Sequence, residues 1–252
     1  MKTFSIISFH TIRELLIERI LYNVFFVAIF LLCLSYLAAL LVSGHRDRIM
    51  LDFGTATIAL SVFAVCAGAA SRLVRNEIEN RSIFLTLVRP VGRPTYYFAK
   101  WFGIVSFTFI NLALLTIVLA VGLWQTGGQM TLGVFQAISL IGVESLVITA
   151  LALLISQFLR SGLTTLLTFT YIFTSHNHEQ FSYLNSHAES KSPLFSLFSS
   201  ITPDGSVFLM DTRPYYELPL TLAEWAQRTS YGVLWALFFL LMGNAVFYRR
   251  NL

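Results

Sequence analysis

An all-α, polytopic membrane fold is predicted by three observations. Of the 252 residues 56% are hydrophobic and only 12% are charged, against roughly 25% charged in an average soluble domain. Apolar runs of about 20 residues, the length a helix needs to cross the hydrocarbon core, recur along the chain. The basic residues sit in the stretches that flank those runs.

Six runs qualify as transmembrane helices: 21–43, 53–71, 101–124, 132–156, 161–175 and 229–248. The fifth is short and rich in threonine, which predicts a tilted or broken helix, or one continued by part of the next segment. No internal repeat or linker to a soluble domain is evident, so residues 1–252 read as one transmembrane domain. The first run begins near Leu21 and continues for a full span, so it is expected to remain in the mature protein rather than be cleaved as a signal peptide.

Ahead of the first span, Phe9, Ile12, Leu16 and Ile20 recur at helical spacing while His10, Glu14 and Glu18 take the opposite side. This predicts an amphipathic interfacial helix over 4–20. Positive residues favour the cytoplasmic side, and the six-span topology divides the 17 Lys and Arg residues twelve against five. Both termini are therefore expected in the cytoplasm.

The cytoplasmic loop 72–100 holds six of those 17 basic residues, Arg72, Arg75, Arg81, Arg89, Arg93 and Lys100. Residues 73–80 can extend the second span, Ser82 can cap a short helix over 83–88, Gly92 can end it and Pro94 suits the first turn of the third span. The tip then presents Glu77, Ile78, Glu79, Asn80, Arg81 and Ser82. Acidic residues contribute little to topology, so Glu77 and Glu79 point instead to pairing with a protein surface.

The longest segment between spans, 176–228, is expected outside and carries six acidic against three basic residues. Within it, 193–201 is too short to span and too apolar for water, so it is expected to dip into the leaflet or pack on helix ends. His176, His178 and His187 stand near Glu179 but lack the spacing of a zinc motif. No metal is assigned to them.

Glu144 lies near the middle of the fourth span, where a charge costs about 2.5–3.5 kcal/mol to insert. Such a residue faces a bundle interior or a wet cavity. Asn111 in the third span reads first as interhelical glue, and with Glu144 it is the candidate for a substrate path or coupling. Cys33 and Cys66 lie in apolar runs and read as small packed hydrophobes.

Other chemistries lack their residues. A P-loop needs a lysine after glycine, and none of Lys2, Lys100 and Lys191 follows one. Any nucleotide therefore binds another polypeptide. An intramembrane protease needs paired carboxylates, a zinc motif or a serine with its base, whereas Glu144 stands within a span with no histidine expected beside it. The basic residues form no aromatic-interleaved stripe of the kind that binds nucleic acid.

The run from Glu77 through Arg93-Pro94, followed by Tyr96-Tyr97-Phe98-Ala99-Lys100, resembles the first cytoplasmic loop of ABC-2 type transporter permeases. Glu18-Arg19, the run Ala150 through Ser156 and the closing Phe247-Tyr248-Arg249-Arg250-Asn251-Leu252 agree with that resemblance, which covers nearly the whole chain. It implies a connecting helix at the N-terminus and a short coupling helix in the loop, docking into an ATP-binding subunit. Arg81 departs from the small residue that many relatives carry. The resemblance further implies an exporter of two permease copies, or two related permeases, with two ATP-binding subunits that hold ATP and Mg. The expected location is a plasma membrane or bacterial inner membrane. Two other readings remain open: a membrane scaffold or biogenesis factor that binds a soluble protein through the same loop, and an ion-coupled secondary transporter that uses Glu144.

Overall fold

In the computed structural model the described residues are 2–17, 19–41, 46–79, 92–178, 180, 183, 203–210 and 219–249. Among them are the α-helices α1 (Lys2–Ile17), α2 (Arg19–Leu41), α3 (Arg46–Glu79), α4 (Arg93–Thr126), α5 (Leu132–Ser156), α6 (Ser161–His176) and α7 (Leu222–Arg249), with a 3-10 turn at Gly205–Phe208 and no strand. Helices α2, α3, α4, α5 and α7 are each long and apolar enough to cross a membrane.

The expected fifth span is α6, and its 16 residues rise about 24 Å at 1.5 Å per residue. The hydrocarbon core is about 30 Å thick. The described residues therefore hold five full-length apolar helices and one short one, not six full spans. Helix α3 starts at Arg46 rather than near residue 53, and α7 starts at Leu222 rather than 229. In both, a polar turn extends the helix beyond its apolar run. At α7 the extension rests on a reciprocal cap, with Thr221 N–H donating to Glu224 Oε2 at 3.1 Å and Glu224 N–H to Thr221 Oγ1 at 3.3 Å.

The helices alternate in direction. Arg93 at the start of α4 donates to the Tyr248 carbonyl at the end of α7, 3.0 Å away. That end of the bundle is the loop pole. At the opposite pole Gly128 lies against Asp47, and Trp225 Nε1 donates to Ser139 Oγ at 2.9 Å. Helix α4 starts from Gly92 with Pro94 in its first turn, as expected, and ends at Gly127, whose φ of 84° only glycine adopts easily.

Helix α5 is apolar on every side, and a helix of that kind belongs in the middle of a bundle. It packs against α3, α4, α6, α7 and the 3-10 turn. Helix α2 is peripheral, burying Ala28, Leu32, Ser35 and Ala39 at helical spacing while Phe26, Phe30, Leu37 and Leu41 stay exposed. At the loop pole Tyr96 and Tyr97 lie against Phe247, with ring centroids 5.9 and 5.8 Å apart.

Helix α1 packs on α4 through a face distinct from its apolar stripe. Ser8, Thr11 and Leu15 are buried, while Phe9 and Leu16 of the predicted apolar stripe are exposed. The reason is proximity: Ser8 Oγ donates to the Ala99 carbonyl at 3.1 Å, and a Cβ on Gly103 would stand 2.7 Å from Thr11 Cβ and 3.0 Å from the Ser8 carbonyl oxygen. Small polar residues are what two backbones this close can hold between them. The Phe9–Leu16 stripe is left uncovered.

The described parts of 176–228 pack on the bundle. Pro203, Gly205, Phe208 and Met210 are buried, and the 3-10 turn packs on α5 and α6. The apolar stretch 193–201 lies outside the described residues.

Gly103→Val is expected to force α1 off α4, because the added atoms meet backbone as well as side chain. Overpacking of this kind costs about 1–3 kcal/mol, read as a lower midpoint in a thermal scan and faster proteolysis at Arg13. An unchanged midpoint and cleavage rate would mean that α1 is not held against Gly103.

Candidate functional site

Glu144 stands midway along α5 and is 4% exposed. A carboxylate so placed needs a partner, and the partner is His176, the last residue of α6, with Nε2 3.3 Å from Glu144 Oε1. Helix lengths explain the meeting. From Ser161 to His176 α6 climbs about 22 Å, and from Ser156 back to Glu144 is about 18 Å along α5. A short α6 therefore ends near the level of the buried carboxylate. The expectation that no histidine joins Glu144 is corrected, as is the placement of His176 in the segment between spans.

Several contacts hold the imidazole. Its Nδ1 lies 2.9 Å from the Ile172 carbonyl oxygen, and its ring is 5.8 Å from that of Phe63 on α3. Gly205 closes over it: a Cβ there would stand 2.7 Å from Ser175 Oγ and 3.1 Å from His176 Nδ1. The turn itself is anchored. Asp204 N–H donates to Tyr231 Oη and Ser206 N–H to Asp204 Oδ1, both at 2.9 Å. Arg228 Nη1 donates to the Val207 and Leu209 carbonyls at 2.9 and 3.1 Å.

The hydrogen-bond pattern counts protons. A carbonyl oxygen only accepts, so Nδ1 of His176 must carry hydrogen. Nε2 and Oε1 are then in contact with one proton between them, on the ring as imidazolium or on Glu144 as carboxylic acid. Without that proton two acceptors would face each other.

Above the pair lies a cavity of about 340 Å³ lined by Asp52, Thr55, Phe63, Glu144, His176 and Phe208, among others. Glu144 and His176 are its polar floor, and the exposed Asp52 marks its edge toward the opposite pole. One turn beyond Phe63, Cys66 is fully buried, its Sγ 3.6 Å from Thr108 Oγ1 and 3.7 Å from the Ser145 carbonyl oxygen.

The other sequence candidates lie elsewhere. Asn111 is buried between α4 and α3 and donates to Ser61 Oγ at 3.3 Å, the interhelical role its chemistry suggests, and it does not line the Glu144 cavity. Glu77, Ile78 and Glu79 are the last residues of α3 at the loop pole. Asn80, Arg81, Ser82 and the expected helix 83–88 lie outside the described residues. Glu77 lies fourteen positions beyond Phe63 along α3, about 21 Å of helix, so it is remote from the buried pair. His187 and Glu179 lie outside the described residues, among which no three His, Cys, Asp or Glu side chains converge as metal ligands.

A further charged contact was hidden in the sequence. Lys100, 3% exposed, places Nζ 3.3 Å from Glu14 Oε2 and 6.0 Å from the centroid of the Tyr96 ring. It fastens α1 to the base of α4, beside the charged loop. Lys100 reads in sequence as a flanking charge of the third span. A lone lysine one residue before an apolar run beside two tyrosines was the available signal.

No protein-family model and no curated protein matches this chain.

His176→Phe alone is expected to destabilise the protein by about 3 kcal/mol, because it leaves Glu144 buried without its partner. Adding Glu144→Leu should restore most of that loss, which a double-mutant cycle in thermal scans reads as a coupling of about 1–3 kcal/mol. Strictly additive effects would mean that the two side chains do not interact.

Proposed function

We propose that this chain is the membrane-spanning permease subunit of an ATP-driven ABC-2 type exporter. The observation that carries the reading is the construction of the loop pole. Helices α3 and α4 have 34 residues each, about 51 Å of helix against a hydrocarbon core of about 30 Å. Both thus have length to run past the membrane and carry the loop whose sequence resembles the coupling loop of that family. Helix α1, tied to α4 by Glu14–Lys100, braces the same pole in the place of a connecting helix.

In this reading two ATP-binding subunits hold ATP and Mg and dock on residues 77–82, and a second permease, identical or related, completes the path. The chain itself couples and conducts and is not an enzyme. It spans a plasma membrane or bacterial inner membrane with both termini cytoplasmic, so the loop pole is the cytoplasmic one. Closure of the ATP-binding subunits pushes on the end of α3 and shifts the α3–α4 pair as a rigid unit. The rival that one observation favours is an ion-coupled carrier, because Glu144 and His176 share a proton beside a cavity. Dependence on ATP separates the two.

The chain isolated from its native membranes should bring with it a P-loop ATPase that hydrolyses ATP in the isolated complex. Glu77→Lys with Glu79→Lys should leave membrane insertion intact and lower coupled transport by about tenfold or more, the cost expected when like charges replace a complementary interface. Undiminished ATP-driven transport by that double variant would remove the loop from the mechanism.

A further inference from the structure

The cavity above Glu144 combines features that select a ligand class. Its volume, about 340 Å³, far exceeds the roughly 30 Å³ share of one water and lies at the small end of organic-ligand pockets. Its acidic groups are Glu144 at the floor and Asp52 at the edge. With the Glu144–His176 pair neutral through its shared proton, Asp52 leaves the lining net negative and anions are disfavoured. Phe63 and Phe208 supply aromatic rings, and Ala59, Ile141 and Met210 supply apolar wall. Carboxylates with aromatic rings are the recognition chemistry of an organic ammonium ion. An inorganic metal ion would need a converging set of ligands, and among the described residues no such group of three is present.

We infer that the cavity binds a small organic ammonium ion against Glu144, in exchange for the one proton that Glu144 and His176 share. The ammonium takes the place of His176 at the carboxylate. Two cations on one buried carboxylate repel, so the shared proton passes to water and His176 remains as neutral imidazole with its Nδ1–H on the Ile172 carbonyl. One cation enters, one proton leaves, and the charge of the site is unchanged. Charged or titratable groups on the surrounding elements include Asp52 and Cys66 of α3, Tyr171 of α6 and His178 just past its end, Asp204 beside the 3-10 turn, and Arg228 and Tyr231 of α7. The charged residues of α4, Arg93 and Lys100, are at the loop pole. None of these replaces the proton between Nε2 and Oε1. As cargo of the proposed exporter such a cation rests on that reading; its binding to the chain does not.

The test uses the full chain in dodecyl maltoside, with binding of tritiated benzyltrimethylammonium measured by scintillation proximity and proton release by an indicator dye in weak buffer. This probe keeps its charge at every pH. The expected result is saturable binding with one proton released per ligand, and an affinity that rises about tenfold per pH unit while the free pair holds its proton. Glu144→Gln should weaken binding by about tenfold or more. Glu144→Gln should also release no proton, whereas His176→Gln should still bind and still release one, because a buried carboxyl without its partner holds the proton itself until the ammonium displaces it. The parent chain's proton release and the neutral isostere keep the test decisive if Glu144→Gln fails to fold. Absence of binding by the parent chain, equal competition by the neutral isostere neopentylbenzene, or binding by the parent chain with no proton released would each overturn the inference. Competition by dihexanoyl phosphatidylcholine stronger than by benzyltrimethylammonium would assign the ammonium to a lipid headgroup, and weaker competition to a free amine; either supports an ammonium site. Because no ATPase is present, failure here leaves the exporter reading standing, and absence of an ATPase partner leaves this site standing.

Discussion

A carboxyl group in the middle of the most buried helix sets the terms for its neighbours. Glu144 lies in a largely apolar helix and is almost wholly buried, so a partner must come to it. That partner, His176, arrives only because α6 stops after 16 residues. The end of a helix buried at this depth then needs cover, which the turn at Gly205–Phe208 provides. The turn in turn needs its exposed carbonyls satisfied, and Arg228 of α7 does so. Short helix, inward turn and arginine clamp thus follow from one buried acid.

The loop pole obeys a different constraint. There the helices are bound by side chains that reach from one element to the backbone of another: Ser8 to Ala99, Arg93 to Tyr248, and Gln157 to Gly243 at 2.9 Å. Lys100 and Glu14 add a charged contact in which the lysine is buried and the glutamate keeps access to solvent. A pair of that kind costs less to form than one sunk entirely in the bundle, because only one partner is fully desolvated. Such contacts make the ends of α1, α4 and α7 a single block.

The apolar runs were legible because a membrane-length helix needs only composition and length, and α2 through α5 and α7 appear where the runs lie. Pro94 and the extension of α3 to Glu79 were legible for local reasons of the same kind. What sequence could not give was pairing across elements. Glu144 was conspicuous by its cost, but His176, 32 positions later, looked like one of three loop histidines. Only the stopping point of α6 selects it. Likewise, periodicity found the apolar stripe of α1 at Phe9 and Leu16 but not its packing face, since Ser8 and Thr11 are buried by the absence of a side chain at Gly103. Patterns of hydrophobicity do not register a glycine on another helix.

Helix α3 links the two poles. Its first turns carry Asp52 and Thr55 at the cavity, its middle carries Phe63 against His176, and its last residues are Glu77 to Glu79. No proline interrupts it, so it lacks the commonest cause of a kink. A displacement applied at Glu79 is therefore transmitted along the axis rather than absorbed at a proline hinge. The cavity, by contrast, has walls of two kinds: α3, continuous with the loop pole, and the Gly205–Met210 segment, clamped to α7 by Arg228. Movement of α3 relative to α7 must change the space between those walls. One unbroken helix is sufficient to connect the charged loop with the buried acid.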